Sequence, residues 1–275
     1  MNCSLRENPT PLNVMSFNIR YDNPRDGLNA WDNRKELVIE TIRNQKADIV
    51  GMQEVLSSQQ EYLTASLSSY DSYAVGRDDG GLEGEMGSIF FLKDRFELLD
   101  KSTFWLSETP EVIGSKGWNA VLPRIVSWLK LNDLENNKVL YFFNTHFSHV
   151  GEEARLNSAK LLVERVSYIA GDNPVLITGD FNCTNDSRPY SIITEDNTPG
   201  IILFDTHYIS ETEHSGGLNT INSFGRSRKE AIIDYIFCSS SFKVLSHGIL
   251  TVKKDSIFVS DHYPVVAQLE FIKNK

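Results

Sequence analysis

The chain has 275 residues, of which 37 are acidic and 27 are basic, and its formal net charge is -10 at pH 7. Its hydrophobic fraction of 40% is enough for a substantial core, so the composition indicates a soluble globular protein. No stretch of about 18 apolar residues occurs and the N-terminus lacks an apolar signal-peptide core, so we expect no transmembrane span. The acidic balance disfavours long-range attraction of nucleic acid, although divalent cations bound to carboxylates would reverse the charge locally.

The cysteines bear on the compartment. Cys3, Cys183 and Cys238 are too few and too scattered for a disulfide framework or a zinc site, which is consistent with a reducing compartment. Cys3 leaves an alternative open, because an early cysteine followed by a polar stretch is also what remains of a trimmed lipid-anchored export signal. The localisation therefore stays open between a cytoplasmic protein and an exported or lipid-anchored one whose signal has been removed.

In chain order, the first apolar segments predict strands at residues 12–19 and 48–55, with a helix at residues 31–46 between them. A second helix is predicted at about residues 152–170. Further strands are predicted at residues 87–92, 124–131, 138–147, 174–181, 231–238 and 263–271.

The segments connect without a linker, repeat or low-complexity stretch. We therefore predict a flexible N-terminus at residues 1–10 and a single domain at residues 11–273, and we expect a monomer. Many strands and few helices predict two packed sheets with helices on the outside.

Polar side chains recur where the predicted strands end. A lone Asn or Asp at such a position is usually a turn-former or a helix cap, and a lone buried His is usually a core residue. Their repetition beside separate strands is not expected from turns alone, because strand ends can converge on one edge of a sandwich. The set predicts a metal-assisted phosphoryl-transfer site and comprises Asn18, Gln53, Glu54, Asn144, His146, Asp180, Asn182, Asp234, Asp261 and His262.

The residue types suit that chemistry. Mg²⁺ takes one or two carboxylates and keeps several waters, so Glu54 is predicted as its principal ligand, with Asp261 and Asn18 adding direct or water-mediated contacts. Mn²⁺ is expected to substitute for Mg²⁺. Asp180 is predicted to position an attacking water, and Asn182 to donate to a nonbridging phosphate oxygen.

The stretch VLITGDFNCTND, residues 175–186, contains both of these residues. Gly179 is predicted to let the strand turn sharply, so that Asp180 and Asn182, two positions apart, point into one cleft.

Histidines are predicted to complete the site. His146 and His262 would supply positive charge or hydrogen-bond donors to the phosphate, with Asp234 fixing the tautomer and charge of His262. Three further residues are predicted to contact the substrate: Arg77 beside a glycine-rich loop, Trp118 as a stacking platform in a polar stretch, and His149.

The motifs FNIR, MQEV, NTHF, GDFN, IDYIF and SDHYP, in this order, resemble the endonuclease/exonuclease/phosphatase superfamily of Mg²⁺-dependent phosphoesterases. The resemblance covers nearly the whole chain and implies an α+β fold, a four-layered α/β/β/α sandwich with two mixed β-sheets between helical layers. It also implies residue roles: a metal on Glu54, a scissile phosphate held by Asn18, His146 and Asn182, a water positioned by Asp180, and an acid/base pair of Asp234 and His262.

Longer segments, including FWLSETPE and NTHFSHVGEEAR, resemble an uncharacterised and mainly bacterial branch near nocturnin-type and sphingomyelinase-type members. The sequence lacks an identifiable basic groove motif of the deoxyribonucleases, so a small phosphorylated or phosphodiester substrate is favoured over long nucleic acid.

Other site types fit less well. Residues 22–33 begin like a calcium loop, but Pro24 and Asn33 stand at two of its ligand positions. Residues 76–87 are rich in glycine without a following Walker lysine, which favours a flexible loop. His146 and His149 lack the spacing of a zinc motif, and a hydrolase triad cannot form from the adjacent residues 260–262.

We therefore expect a Mg²⁺-dependent hydrolase that cleaves a phosphodiester or phosphomonoester by in-line attack of an activated water. The alternatives are a catalytically silent binding or scaffold module with the same fold, and a nuclease. The sequence leaves the substrate open among nucleotides, phospholipid head groups and sugar phosphates, because all present the same reacting centre.

Overall fold

A computed structural model describes residues 9–195, 201–227 and 230–273. The strands in these ranges are β1 (Leu12–Asn18), β2 (Ile49–Val55), β3 (Tyr70–Tyr73), β4 (Met86–Leu92), β5 (Phe96–Trp105), β6 (Ile125–Asp133), β7 (Lys138–His146), β8 (Val175–Asp180), β9 (Leu203–Asp205), β10 (Ser215–Gly216), β11 (Asp234–Ser239), β12 (Phe242–Ile249), β13 (Lys253–Lys254), β14 (Ile257–Phe258) and β15 (Val265–Phe271). The α-helices are α1 (Trp31–Asn44), α2 (Ser57–Ser66), α3 (Glu152–Ala170), α4 (Arg188–Thr194) and α5 (Thr206–Ile209), and Pro24–Asn29 forms a 3-10 helix.

Two large mixed sheets form the centre of the molecule. The first has the order β10-β12-β15-β1-β2-β4-β3, and the second has the order β5-β6-β7-β8-β11-β9. The pairs β1/β2 and β7/β8 are parallel, whereas β15, β4, β6 and β11 run antiparallel to their neighbours in these sheets. The central strands are buried on both faces, which explains why their sequences read as continuous apolar runs.

The apolar side chains divide into three buried layers. Leu12, Ile49 and Leu176 belong to the core between the sheets. Helix α1 packs Val38 and Ile42 on the outer face of the first sheet, and helix α3 packs its own apolar face on the outside of the second. This arrangement confirms the predicted α+β class and the four-layered α/β/β/α sandwich.

The strand register brings polar residues to one edge of the first sheet. Because β1 and β2 are parallel and pair Asn18 with Gln53, Glu54 follows at the same edge. Strand β15 is antiparallel to β1, so Asp261 and His262, which precede it in the chain, also lie there.

The strand register of the second sheet also brings polar residues together at one edge. His146, the last residue of β7, pairs with Asp180, the last residue of β8. Asp234, the first residue of β11, pairs with Asp180 from the other side. The polar strand ends therefore converge on one edge of the sandwich, as the sequence predicts.

Several elements had no sequence prediction because their patterns are polar or irregular. Helix α2 buries only Gln59 and Leu63, and strand β5 is exposed along most of its length at the edge of the second sheet. Helix α3, with a continuous apolar face, coincides with its predicted range.

The N-terminal prediction falls largely outside the described residues, since these begin at residue 9 and therefore exclude Cys3. Within the predicted flexible segment, the Thr10 backbone N–H donates to Asn136 Oδ1 at 2.8 Å. In the described part of the chain, no helix is long and apolar enough to cross a membrane.

The predicted sharp turn at Gly179 is wrong, because β8 continues through this residue. A Cβ at Gly179 would lie 2.7 Å from the Thr145 carbonyl oxygen and 3.0 Å from the Phe181 ring, so glycine is required there by close packing. The chain turns instead at Asn182, whose φ of 49° lies in the left-handed region.

A second close approach joins the two sheets. Gly51 of β2 faces Asn144 and Thr178 of the second sheet. The Asn144 side chain accepts from Gln53 Nε2 at 2.7 Å and donates to the Met52 carbonyl at 2.8 Å, so both Asn144 and Gln53 serve contacts between the sheets.

Gly51→Ala should therefore destabilise the fold. The added Cβ would lie 1.9 Å from Thr178 Oγ1 and 2.6 Å from Asn144 Oδ1, so the sheets must move apart or the polar contacts must break. We expect the free energy of unfolding in urea to fall by about 1–3 kcal/mol. The matched control is Gly217→Ala, where a Cβ meets no atom within 4 Å, and equal stability of the two variants would contradict the prediction.

Candidate active site

Glu54 projects from the edge of the first sheet and is held by two donors. Its Oε1 accepts from Asn18 Nδ2 at 3.1 Å, and its Oε2 accepts from the Tyr21 backbone N–H at 3.2 Å. The register of β2 against β4 shifts between Met52 and Val55, and Glu54 itself has a φ of 62°. A left-handed backbone is costly for a glutamate, and it is maintained here by the surrounding hydrogen bonds.

Asp261 and Glu54 share the guanidinium of Arg20 as an ion-pair partner. The guanidinium of Arg20 is 3.7 Å from Glu54 Oε2 and 3.7 Å from Asp261 Oδ2, and Asp26 holds it at 3.1 Å. Burial raises the pKa of Asp261, and the negative charge of Glu54 raises it further. These carboxylates therefore form an acidic site that favours a cation.

Asp180 is the centre of the second-sheet half. Its Oδ2 accepts from Asn18 Nδ2 at 2.9 Å, and its Oδ1 accepts from the Asn182 backbone N–H at 3.0 Å. Burial raises the pKa of Asp180 to about 7, and the charge of Asp234 also raises it. Asn18 thus donates to one carboxylate of each sheet.

His262 is paired with a buried carboxylate. Its Nδ1 lies 2.9 Å from Asp234 Oδ2 and 3.8 Å from Asp180 Oδ2. Burial alone would lower the pKa of His262, but the charges of Asp234 and Asp180 outweigh it and raise the pKa well above its usual value. The imidazole is therefore a protonated donor at neutral pH.

His146 has the opposite character. Its Nε2 is 3.5 Å from Asp180 Oδ2, and its buried Nδ1 has no hydrogen-bond partner among the described residues. Burial lowers the pKa of His146 well below its usual value, and the charges of Arg124 and Arg77 lower it further. The site thus holds a neutral and a charged imidazole around one carboxylate.

A pair of buried arginines lies beside His146. Arg77 contacts Glu85 at 2.6 Å, and Arg124 contacts His149 Nδ1 at 2.9 Å. Arg77 Nε and Arg124 Nε and Nη1 are buried without hydrogen-bond partners among the described residues. A small pocket joins these groups to Glu54 and is lined by Glu54, Arg77, Glu85, Met86, Gly87, Arg124, Ile125 and His146.

Asn182 and Trp118, two further predicted site residues, make their contacts with nearby loops and strand ends. Asn182 Nδ2 donates to the Phe147 carbonyl at 3.2 Å, which keeps it beside the end of β7. Trp118 is half-buried in the loop before β6, and its backbone N–H donates to Glu108. Among the described contacts, none joins its indole to the carboxylates, so its substrate-stacking role stays a prediction.

The sequence patterns indicate no role for Arg20 or Arg124. Arg124 directly precedes β6, which is antiparallel to β7, so its position opposite the end of β7 was readable from the strand order. Arg20 stands in the FNIR motif, but its pairing with Asp261 depends on contacts between distant segments. Such contacts leave no signal in local periodicity.

The donor set fits a hard divalent cation. Ligand atoms of Glu54, His146 and Asp180 lie within 4.8 Å of one another. Asp261 lies near Glu54, because the guanidinium of Arg20 is 3.7 Å from a carboxylate oxygen of each. Carboxylate oxygens are the preferred ligands of Mg²⁺ and Mn²⁺. Asn18 presents its amide N–H groups to the carboxylates while its oxygen accepts from the Arg20 backbone N–H, so its contact with a metal stays a prediction.

Comparison with known proteins identifies the family. A profile described as the Endonuclease/Exonuclease/phosphatase family matches residues 15–262. An endonuclease/exonuclease/phosphatase from Bacteroides vulgatus is 41% identical, with 96% of this chain and 100% of that chain covered and a TM-score of 0.91. A mannosyl-6-phosphatase from Bacteroides thetaiotaomicron is 35% identical, with 94% and 100% covered and a TM-score of 0.87.

More distant proteins share the fold. The human nocturnin catalytic domain is 20% identical, with 96% of this chain and 94% of that chain covered and a TM-score of 0.75. The chain spans 92% of the length of one curated relative and 36 to 43% of the length of longer ones. The chain belongs to the endonuclease/exonuclease/phosphatase family, whose members are hydrolases acting on phosphoester bonds and are generally dependent on divalent metal ions.

Proposed function

We propose that this protein is a Mg²⁺-dependent hydrolase of small phosphorylated molecules and that phosphate monoesters are its preferred substrates. The observation that supports this most strongly is the arginine pair beside His146. Arg124 is only 4% exposed, yet two of its guanidinium nitrogens lack partners among the described residues. A buried donor without an acceptor is costly, so a ligand that supplies acceptors would be favoured there.

Charge distinguishes the two ester classes. A phosphate monoester carries close to two negative charges at pH 7 and has three terminal oxygens, whereas a diester carries one charge on two such oxygens. Arg77 and Arg124 together offer planar forks that suit these oxygens. Glu85 neutralises part of the charge of Arg77, which leaves Arg124 as the stronger anion ligand.

In this proposal Glu54 and Asp261 hold the metal. A bound Mg²⁺ would polarise a phosphate oxygen and neutralise charge that develops in the transition state. Asn18 and the Tyr21 backbone N–H orient the Glu54 carboxylate, and Arg20 supports both carboxylates from outside.

The second-sheet residues would act on the water and the phosphate. Asp180 accepts a hydrogen bond from the attacking water, and His262, protonated through its contact with Asp234, donates to the phosphate or to the leaving oxygen. His146 and Asn182 contribute neutral donors that do not oppose the approach of an anion.

The comparisons support the substrate class. One relative is named a mannosyl-6-phosphatase, and its 35% identity extends over 94% of this chain. The net charge of -10 disfavours a long polyanion, so we expect a small phosphorylated molecule, with sugar phosphates as the first class to test.

Glu54→Ala should abolish Mg²⁺-dependent turnover of an aryl phosphate monoester while the fold remains intact. Loss of the metal removes several kcal/mol of transition-state stabilisation, which corresponds to at least about a thousandfold in kcat/KM. Circular dichroism checks the fold, and Glu61→Ala on the exposed side of α2 is the control. Turnover within tenfold of wild type would contradict the assignment of Glu54 as a metal ligand.

Arg124→Met should change the preference between ester classes. We expect kcat/KM for an aryl phosphate monoester to fall by about 10- to 100-fold, because a charge-assisted hydrogen bond to a dianion is lost. The loss for the corresponding methyl diester should be smaller, since fewer anionic oxygens are present. Equal losses for both esters would contradict the proposed recognition, and Arg188→Met, at an exposed arginine, is the control.

Asp234 and His262 should act as one unit. Asp234→Asn removes the nearest charge that keeps His262 protonated, and His262→Ala removes the donor itself. A double-mutant cycle on kcat/KM should therefore show strong non-additivity. If the two losses add within about 0.5 kcal/mol, the residues act independently and Asp234 is a structural acceptor.

A further inference from the structure

Three histidines that the proposed reaction does not use meet at the lateral edge of the sandwich. They are His207 in α5, His214 just before β10, and His247 in β12. A ring nitrogen of each lies within 4.8 Å of a ring nitrogen of the other two. Strand β12 is separated from β1 by β15, so this cluster lies to one side of the candidate active site.

The rings have the spacing of a shared metal ligand set. Their centroids lie 4.6, 5.0 and 5.1 Å apart. Imidazoles bound to one tetrahedral Zn²⁺ through bonds of about 2.0–2.1 Å have centroids about 5 Å apart. The closest nitrogen pair, Nδ1 of His214 and Nδ1 of His247, is separated by 2.9 Å, so small ring movements would admit an ion.

The hydrogen bonds around the rings fix the tautomer of His214 and turn an acceptor nitrogen of that ring toward His247. His214 Nε2 lies 2.9 Å from the Gly217 carbonyl, which can only accept, so this nitrogen carries the hydrogen. In the neutral ring, Nδ1 of His214 then accepts from Nδ1 of His247, and a metal ion bound between them would displace that hydrogen. A histidine fixed in this way by a backbone carbonyl is typical of metal ligands.

The other two rings are similarly available. Nδ1 of His207 is buried and has no hydrogen-bond partner among the described residues. Burial lowers the pKa of His247 to about 3, with smaller effects from His207 and His214, so His247 is an uncharged ligand. A hydrogen bond between His214 and His247 alone would not explain why the buried Nδ1 of His207 has no partner among the described residues.

We propose that His207, His214 and His247 bind one divalent transition-metal ion of the Zn²⁺ class, and that this ion links the edges of the two sheets. His207 is fixed to the second sheet, since Asp205 of β9 caps its backbone N–H and Thr206 Oγ1 donates to the Ile236 carbonyl of β11. His247 belongs to the first sheet.

The ligand chemistry separates this site from the candidate active site. Imidazole nitrogens suit Zn²⁺, Co²⁺ and Ni²⁺, whereas Mg²⁺ requires oxygen ligands. Because His207 and His214 are only half-buried, solvent can supply the fourth ligand. The ion therefore binds beside saturating Mg²⁺, and its role is structural.

The test is calorimetric titration of ZnCl₂ into the full chain, without an affinity tag and in excess Mg²⁺, with thermal unfolding in parallel. We expect one Zn²⁺ site, and a rise in Tm of about 5 °C at a hundredfold excess of Zn²⁺ over its Kd. At the same Zn²⁺ concentration, His214→Ala should weaken this site at least about tenfold and so reduce the rise in Tm to about half or less. His149→Ala, which removes an exposed histidine elsewhere, should leave both unchanged.

Absorption of bound Co²⁺ provides a second readout, because a tetrahedral site with histidine ligands gives intense visible bands that an octahedral oxygen site does not. These bands should be present in wild type and His149→Ala and absent in His214→Ala and His207→Ala. Unchanged Zn²⁺ affinity in His214→Ala, or no Zn²⁺ site in the presence of Mg²⁺, would overturn the proposal.

Discussion

The amide of Asn18 connects the two halves of the site across the sandwich. Its Nδ2 donates to Glu54 Oε1 at 3.1 Å and to Asp180 Oδ2 at 2.9 Å, and these carboxylates belong to different sheets. A single short side chain can reach both only if the sheet edges are held at a fixed separation. Gly51 and Asn144 provide that constraint. The two sheets are in close contact at Gly51, and the Asn144 side chain forms hydrogen bonds between them.

The charged groups around the Asn18 amide differ between the two sheets. On the first sheet Glu54 and Asp261 share Arg20 and favour a cation, and on the second sheet Asp180 lies between a neutral and a protonated imidazole. The buried Arg77 and Arg124 add positive charge beside His146. The proposed ligand, a phosphate dianion bound to a divalent cation, has charges that match both sides.

Much of this arrangement was predictable from sequence because it follows strand periodicity. Strand ends marked by Asn18, Glu54 and Asp180 follow apolar runs, and parallel pairing brings such ends to one edge. Residues whose roles depend on contacts between sheets were not predictable in that way. Asn144 looked like a site residue and instead bridges the sheets, while Arg124 had no role until the strand order was known.

In the proposed function, metal and phosphate bind side by side across the gap that Asn18 spans. Crystals grown with Mn²⁺ and inorganic phosphate would test it directly, because the anomalous signal of Mn²⁺ locates the metal independently of the phosphate. We predict a Mn²⁺ peak on Glu54 and Asp261, with phosphate oxygens in contact with His146 and Arg124. A Mn²⁺ peak on Asp180 and Asp234 instead, or phosphate bound away from Arg124, would contradict the proposed arrangement of metal and phosphate.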